Sequence, residues 1–410
     1  MSSDDNALSR LKVIDCATYV AGPASATVMS DFGADVIKIE RPPEGDLWRT
    51  FPQTPGYPNS ELSYTWLLTN RNKRSIALDL SQAAGRDALL TLVAGADVFV
   101  TNYQISLLKK FRITWDDLRA ANPRLIYAQI TGYGERGEDA DSPSFDGLAY
   151  WARSGLMATV TGADGTPASA RPAMGDHPTA MTLFAAIMLA LYRRERTGLG
   201  SKVSTSLMAA GAWANSVDIQ AKLCGARFPE RKPGDRPINP LIAGYPSSDH
   251  HAMIIALLDP EREFPRLCRA LGESELATNP LFATFDARKE NAAVLYAILQ
   301  SQFEARPLSE WRQLFREHDI KWSPLPTLEE AVGDQQMRDC GAIIDFDYPG
   351  VGRIETVDSP IFVDESPKRV PQPPPSFAMH TREILKEAGY SEQQAERLIE
   401  MGVAVARDQK

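Results

Sequence analysis

Several things this chain of 410 residues lacks narrow what it can be. No apolar run approaches the ~20 residues that a membrane-spanning helix needs. Its four cysteines, Cys16, Cys224, Cys268 and Cys340, stand far apart and fit neither a metal-ligand spacing nor a disulfide framework. The five histidines are scattered as well, and on a strand the adjacent His250 and His251 would point to opposite faces. Positive charge is short: 44 Lys and Arg against 53 Asp and Glu leave a net charge of -9. That balance argues against nucleic acid or an anionic membrane as a partner, while local basic clusters could still hold a phosphorylated small molecule. There is no internal repeat and no low-complexity tract. The start, MSSDDNALSR, is polar and acidic and does not read as a signal peptide. A cytoplasmic protein with reduced thiols is expected.

What is present is the composition of an ordinary globular protein, 43% hydrophobic and 24% charged, in a chain long enough for two or three domains. The first 135 residues alternate strand and helix patterns. Strands are expected at 11–15, 34–40, 74–80, 97–101 and 124–130, with helices from Gly22 to about Phe32 and from Ala83 to Ala94. Alternation at this spacing implies βαβ units and a Rossmann-like parallel sheet, an α/β large domain. Beyond Ser144 the pattern loosens through residues 145–170. A long apolar helix then ends in Arg193-Arg194-Glu195-Arg196-Thr197-Gly198, basic residues followed by glycine, which is a stop signal. A short strand at 202–206 leads into a second long helix, 207–224. Residues 226–240, with four prolines and one glycine, read as a linker, and 241–325 as a smaller α+β domain. The segment 326–370 reads as mostly strands, Pro371–Pro375 as a stiff connector, and Ser391-Glu392-Gln393-Gln394 as a capping box.

The first βα turn, Cys16-Ala17-Thr18-Tyr19-Val20-Ala21-Gly22-Pro23, lacks the glycines of G-x-G-x-x-G, so nicotinamide dinucleotide binding is disfavoured. Glu40 nonetheless sits where a ribose-binding acid would stand. Ligands of open parallel sheets bind beyond the carboxyl ends of the strands. The residues there are Thr18 to Ala21, Arg41, Leu78 to Ser81, and Asn102, Tyr103 and Gln104, with Lys110 one helical stretch on. Cations, an amide and an aromatic ring suit a ligand with phosphates and an adenine. Arg41 could grip a phosphate through two hydrogen bonds; the plainer reading is a surface ion pair with Glu40 or Glu44. Asn102 and Tyr103 are also common turn residues. Arg71, Lys73 and Arg74 read as a solvated basic face.

The stretch AMGDHPTAM, residues 173–181, puts a carboxylate at the mouth of the apolar helix. Pro178 suits a first helical turn, which would make Asp176 or His177 the N-cap. The same geometry presents a carboxylate to a ligand, with helix-start N–H groups beside it to hold developing negative charge.

Taken in order, VIDCATYVAGP, FGADVIKIERP, NRNKRSIALDL, ADVFVTNY, MGDHPT, YRRERTGLGSKVSTSL and HTREILKEAGYSEQQAERLIEMGV resemble the class III coenzyme A transferases, the family of formyl-CoA and carnitine CoA transferases. The resemblance covers nearly the whole chain. It implies that Asp176, the acid of the Gly-Asp pair, is a nucleophile that passes CoA from an acyl-CoA donor to a carboxylic acid through aspartyl anhydride and thioester intermediates. An aspartate with an ordinary pKa near ~3.9 would be ionised at neutral pH and need no general base. The CoA contacts carried over by the resemblance are Val20, Ala21, Arg41, Leu78, Asn102, Tyr103, Gln104 and Lys110. It further implies an interlocked homodimer, linkers at 226–240 and 326–345, and residues 346–410 returning to the large domain begun by 1–225. CoA and acyl-CoA would be substrates, with no tightly bound cofactor and no metal. The partners would be acyl-CoA and a small carboxylic acid.

Two departures bear on specificity. A lysine that helps hold CoA in formyl-CoA transferase falls near Pro143 or Ser144 here. That enzyme's glycine-rich active-site loop has no match; Tyr245-Pro246-Ser247-Ser248-Asp249 stands in the small domain instead. Formate and oxalate are therefore disfavoured, and the run from Phe145 to Gly155 looks more like the branch handling 2-hydroxy and aryl-propanoic acids. Tyr150 and Trp151 are equally suited to a core. One rival is an α-methylacyl-CoA racemase, whose histidine sits in a loop that here, Arg136 to Phe145, has none. A non-catalytic CoA-binding or assembly protein, with Asp176 a plain cap, is the other.

Overall fold

The computed structural model describes residues 6–160, 166–168, 170–228 and 239–407. The chain divides into two compact units, one gathering the residues up to Phe228 and those from Gly341 onward, the other ending at Cys340. The expected linker 226–240 falls largely outside the described residues.

The first unit opens with β1 (Lys12–Cys16), α1 (Ala21–Asp31), β2 (Asp35–Glu40), α2 (Tyr64–Asn70) and β3 (Lys73–Leu78). It continues with α3 (Ala83–Ala94), β4 (Val98–Thr101), α4 (Ile105–Phe111), α5 (Trp115–Ala121) and β5 (Ile126–Thr131). A π-helical turn (Gly147–Ala152) and α6 (Leu156–Thr159) follow, then α7 (Asp176–Thr197), β6 (Ser201–Ser206), α8 (Leu207–Ala214) and α9 (Ser216–Leu223). The second unit contains β7 (Ile242–Pro246), β8 (Ala252–Ala256), α10 (Pro260–Leu271), α11 (Phe285–Glu290), α12 (Ala292–Phe303), α13 (Leu308–Glu317), β9 (Trp322–Leu325), α14 (Leu328–Val332) and α15 (Gln335–Asp339). The chain then adds a hairpin, β10 (Ile343–Tyr348) and β11 (Gly352–Val357), to the first unit, followed by α16 (Thr381–Glu387), α17 (Glu392–Glu400) and β12 (Ala404–Val405).

Seven strands form the main sheet in the order β12-β3-β2-β1-β4-β5-β6. Six are parallel, and β12 runs antiparallel on the β3 edge. Alternation along each strand separates two cores. Ile14, Ile37, Ile76 and Phe99 face α3, α5, α16 and α17. Val13, Val36, Val98 and Ile126 face α1 and α7. All eleven residues of α1 are buried; its Ala, Gly, Ser and Thr side chains let it lie close between the sheet and α7. The second unit wraps helices around the antiparallel sheet β7-β8-β9, with a core that includes Phe264, Phe303, Trp311 and Phe315.

Three local expectations are corrected. The helix expected over 207–224 is two helices, interrupted at Asn215. Between 326 and 370 strand structure is confined to the β10–β11 hairpin; Thr327 and Asp334 instead cap the short helices α14 and α15. The cluster of Arg71, Lys73 and Arg74 is not a solvated face. Arg71 is buried and grips Asp31 through two hydrogen bonds of 2.8 and 2.7 Å. Lys73, also buried, reaches Asp15 at 2.8 Å, and Arg74 pairs with Asp35, Glu383 and Glu387. A cation that is taken out of water survives only when paired in this way.

Candidate active site

A parallel sheet whose strand order reverses leaves a crevice at the reversal, because the connections after the two adjacent strands turn away to opposite sides. Here that point lies between β1 and β4. A cavity of about 350 Å³ opens there, lined by Thr18–Ala21 after β1, Asn102–Ile105 after β4, the end of β5, the loop 142–146, and Asp176 at the start of α7. Asn102 ties the two strand ends together. Its amide accepts from the Thr18 N–H at 2.8 Å and donates to the Thr18 carbonyl at 2.7 Å. Buried Lys38 secures the same loop from beneath, bonding the Ala17 carbonyl and pairing with Asp46 at 3.0 Å. Asp46 in turn accepts from the Tyr19 N–H.

Of the residues expected to meet CoA, the cavity brings Val20, Ala21, Asn102, Tyr103 and Gln104 together with Asp176. Their contributions differ from the expectation in detail. The Asn102 amide is spent on Thr18, the Tyr103 ring packs into the core behind the sheet beside Phe111, and Gln104 donates to the Asp141 carbonyl. Arg41, Leu78 and Lys110 do not line the cavity. The Leu78 side chain is in the core. Arg41 is exposed, and Glu40, its suggested surface partner, is buried and bonded twice by Arg49 and once by Ser75. That commitment also removes Glu40 as a ribose acceptor. Pro143 and Ser144, where the resemblance had a lysine, are on the cavity wall, as is Phe145, which meets the Tyr19 ring edge-on at 5.7 Å.

Asp176 is the first residue of α7, and the N-cap is Gly175, not Asp176 or His177. Neither that cap nor the Asp176 side chain satisfies the helix start. Asp146 takes that place at Gly175: both its oxygens accept from the Gly175 N–H, at 3.1 and 3.0 Å, and the nearby N–H groups of Ala173 and Asp176 favour its charged form. Of the helix-start N–H groups expected to face an oxyanion, that of Gly175 is therefore already occupied. Gly175 has no room for a side chain, because a Cβ there would overlap the Tyr150 ring and Asp146. Burial and then the Asp146 charge push the Asp176 carboxyl up from 3.8 to about 7, which corrects the expectation of an ordinary aspartate. His177 is held down, by burial first and then by Arg71, and does not line the cavity. Asp146 is the residue that the sequence reading missed. The segment Phe145-Asp146-Gly147 was in view as a specificity feature, and nothing local in it announces a cap for a helix 29 residues away.

A half-buried carboxylate thus sits in a crevice of mixed polar and apolar lining at the switch point, the place where open α/β sheets bind their ligands. The model of CoA-transferase family III matches residues 8–381, so the chain belongs to that family, the enzymes that transfer coenzyme A. A cinnamoyl-CoA:phenyllactate CoA-transferase from Clostridium sporogenes is 34% identical over 403 residues, 97% of each chain. An (R)-2-hydroxy-4-methylpentanoate CoA-transferase from Clostridioides difficile is 28% identical, covering 94% of this chain and 96% of the relative. The crystal structure of a CAIB/BAIF family protein from Brucella suis matches with a TM-score of 0.80 and 29% identity over 94% of this chain and 100% of that one. No helix among the described residues is long and apolar enough to cross a membrane.

Proposed function

We propose that the enzyme moves CoA from an acyl-CoA to a carboxylic acid with Asp176 as a covalent carrier. The observation that carries this reading is the Asp176 carboxylate itself, which lines the switch-point cavity while Asp146 does the capping. An oxygen of ionised Asp176 attacks the donor thioester carbonyl, forming a mixed anhydride and expelling CoA thiolate. The thiolate attacks the aspartyl carbonyl of that anhydride, giving an aspartyl-CoA thioester and the donor acid. The acceptor carboxylate displaces the thiolate to form a second anhydride. The thiolate then takes the acceptor acyl group and frees Asp176. Splitting one hard exchange into four displacements lowers each barrier. CoA would lie along Val20, Ala21 and Asn102–Gln104, with Arg41, Leu78 and Lys110 as further contacts of the bound nucleotide.

No histidine among the described residues lines the cavity, and Phe145 stands beside Asp146, so a racemase has no second base to place across the substrate. A purely structural Asp176 is disfavoured because its capping role is already filled. The aromatic pair Tyr19 and Phe145, with Ile105, Leu107 and Leu207, suits an aryl or branched 2-hydroxy acid better than formate or oxalate, in keeping with the names of the two relatives above. We also propose a homodimer. Leu189, Tyr192, Trp213, Val217 and Leu223 leave α7, α8 and α9 with exposed large apolar side chains, and Trp213 is 82% exposed. A 45 kDa particle in light scattering would count against it.

The covalent reading is tested by incubating the enzyme with a cinnamoyl- or phenyllactyl-CoA donor and then hydroxylamine. A hydroxamate is expected on the peptide containing Asp176. Asp176→Asn is expected to abolish transfer and keep CoA binding. Full activity in that variant, or label only on another carboxylate, overturns the mechanism.

A further inference from the structure

A carboxylate in the first turn of a helix ordinarily folds back onto the free N–H groups there, which lowers its pKa and blunts it as a nucleophile. Asp176 is in that position, yet the donor at its cap is engaged elsewhere. The Gly175 N–H goes to both oxygens of Asp146, whose carboxylate also feels the N–H groups of Ala173 and Asp176 nearby. That of His177 goes to the Ala173 carbonyl at 3.2 Å, Pro178 has none, and that of Thr179 goes to the Gly175 carbonyl at 3.2 Å. Two further features hold the arrangement. Ala173 takes a left-handed conformation, φ +69°, which is costly for a residue with a Cβ, and it curls the chain around the Asp146 carboxylate. The missing side chain at Gly175 lets Asp146 and Tyr150 press against the backbone.

We infer that Asp146 is a positioning residue of the transfer reaction: by taking the Gly175 N–H to itself, it keeps Asp176 from capping its own helix and leaves that carboxylate free to face the cavity. This rests on the covalent role proposed for Asp176. Asp146 touches no reacting atom in the scheme; it acts through the backbone of 173–176 and through its charge. The groups facing Asp176 make that charge count. Asp146 and Tyr150 approach from the π-helical turn, Tyr19 lines the cavity with its ring against Phe145, and His177 is next on α7, with Arg71 acting on it. No lysine or arginine among the described residues lines the cavity. The level of about 7 at Asp176 follows from burial together with this uncompensated neighbour.

The test is Asp146→Asn, which keeps the shape, removes the charge and leaves one carbonyl oxygen where two carboxylate oxygens now share the Gly175 N–H. The readout is the rate of CoA release on first acylation, followed against pH, with the hydroxamate on the Asp176 peptide as a check. The acid limb is expected to move from about 7 to at least one pH unit lower. The acylation rate on the plateau is expected to fall by about tenfold, as a less basic carboxylate attacks more slowly. Asp139→Asn, which breaks the exposed pair with Arg153, is the control and should change neither. A merely structural Asp146 would lower stability and rate together and leave the acid limb in place; that result overturns the inference. Should Asp146→Asn not fold, the unmodified enzyme decides: an acid limb near 4 rather than near 7 refutes a carboxylate held off the helix. A missing label on Asp176 in the unmodified enzyme defeats the covalent reading itself. A label there with an unmoved limb in Asp146→Asn defeats only the role of Asp146.

Discussion

If Asp176 is held in a state that favours catalysis over stability, removing its charge should stabilise the protein in a pH window fixed by its titration. The carboxyl rises from 3.8 to about 7 in the folded chain, roughly three units, through burial and then Asp146. At ~1.4 kcal/mol per unit the ceiling is about 4 kcal/mol. The side chain lines an open cavity, so water offsets part of this and about 2 kcal/mol is the working figure. The sign follows from linkage. Below the unfolded value both states hold the proton, and nothing is lost. As pH rises from about 4 toward 7 the unfolded chain releases the proton while the folded one keeps it, so stability falls; above 7 the loss is complete. Asp176→Asn, isosteric and never charged, escapes that loss. The two proteins should melt together near pH 4 and diverge through neutrality, with the variant higher by a few degrees at pH 8. Scanning fluorimetry at half-unit steps measures the difference, and titrations shared by both proteins cancel. A gap that does not change with pH, or a less stable variant at pH 8, would refute the reasoning.

Other perturbations probe other parts of the site. Gly175→Ala, whose Cβ would overlap Tyr150 and Asp146, should destabilise by about 1–3 kcal/mol and lower transfer, as seen in a melt and a rate assay. Arg41→Ala should weaken CoA binding by about 1–3 kcal/mol in calorimetry with an unchanged melting temperature, since Arg41 is exposed; unchanged affinity returns it to the surface. Phe145→Ala should raise KM for an aryl acceptor more than for a short aliphatic one, because the edge-on pair with Tyr19 is lost.

How far the sequence carried these conclusions depends on the range of each interaction. β1, β2 and β4 were legible because a parallel strand buried on both faces must be apolar throughout, and Val13-Ile14, Val36-Ile37 and Val98-Phe99 show it in place. The end of α7 was legible for a similar reason: Arg194 and Arg196 followed by Gly198 at φ +71° form a stop written within one turn. Long-range partners were not legible. Nothing near Arg71 says that Asp31, at the end of α1, will pair with it, so a buried clamp reads as a wet face. The short helix after Thr327 is set by a capping box, Thr327 with Glu330, which starts a helix of only five residues in a segment that reads as strand.

The start of α7 shows this most sharply. Two roles are local readings of Asp176 from the sequence, cap and nucleophile. Local reasoning had to assume that the helix-start N–H groups were available to Asp176 or to a ligand. The Gly175 N–H is available to neither, because a second carboxylate, distant in sequence, arrives with the π-helical turn and takes it. A sequence shows which groups need partners; only the fold shows which partner comes first. Once Asp146 has that place, the pK of Asp176, the bare Gly175 and the left-handed Ala173 share one cause. The carboxylate at the mouth of the apolar helix is left as the one group there whose partner must come from the cavity.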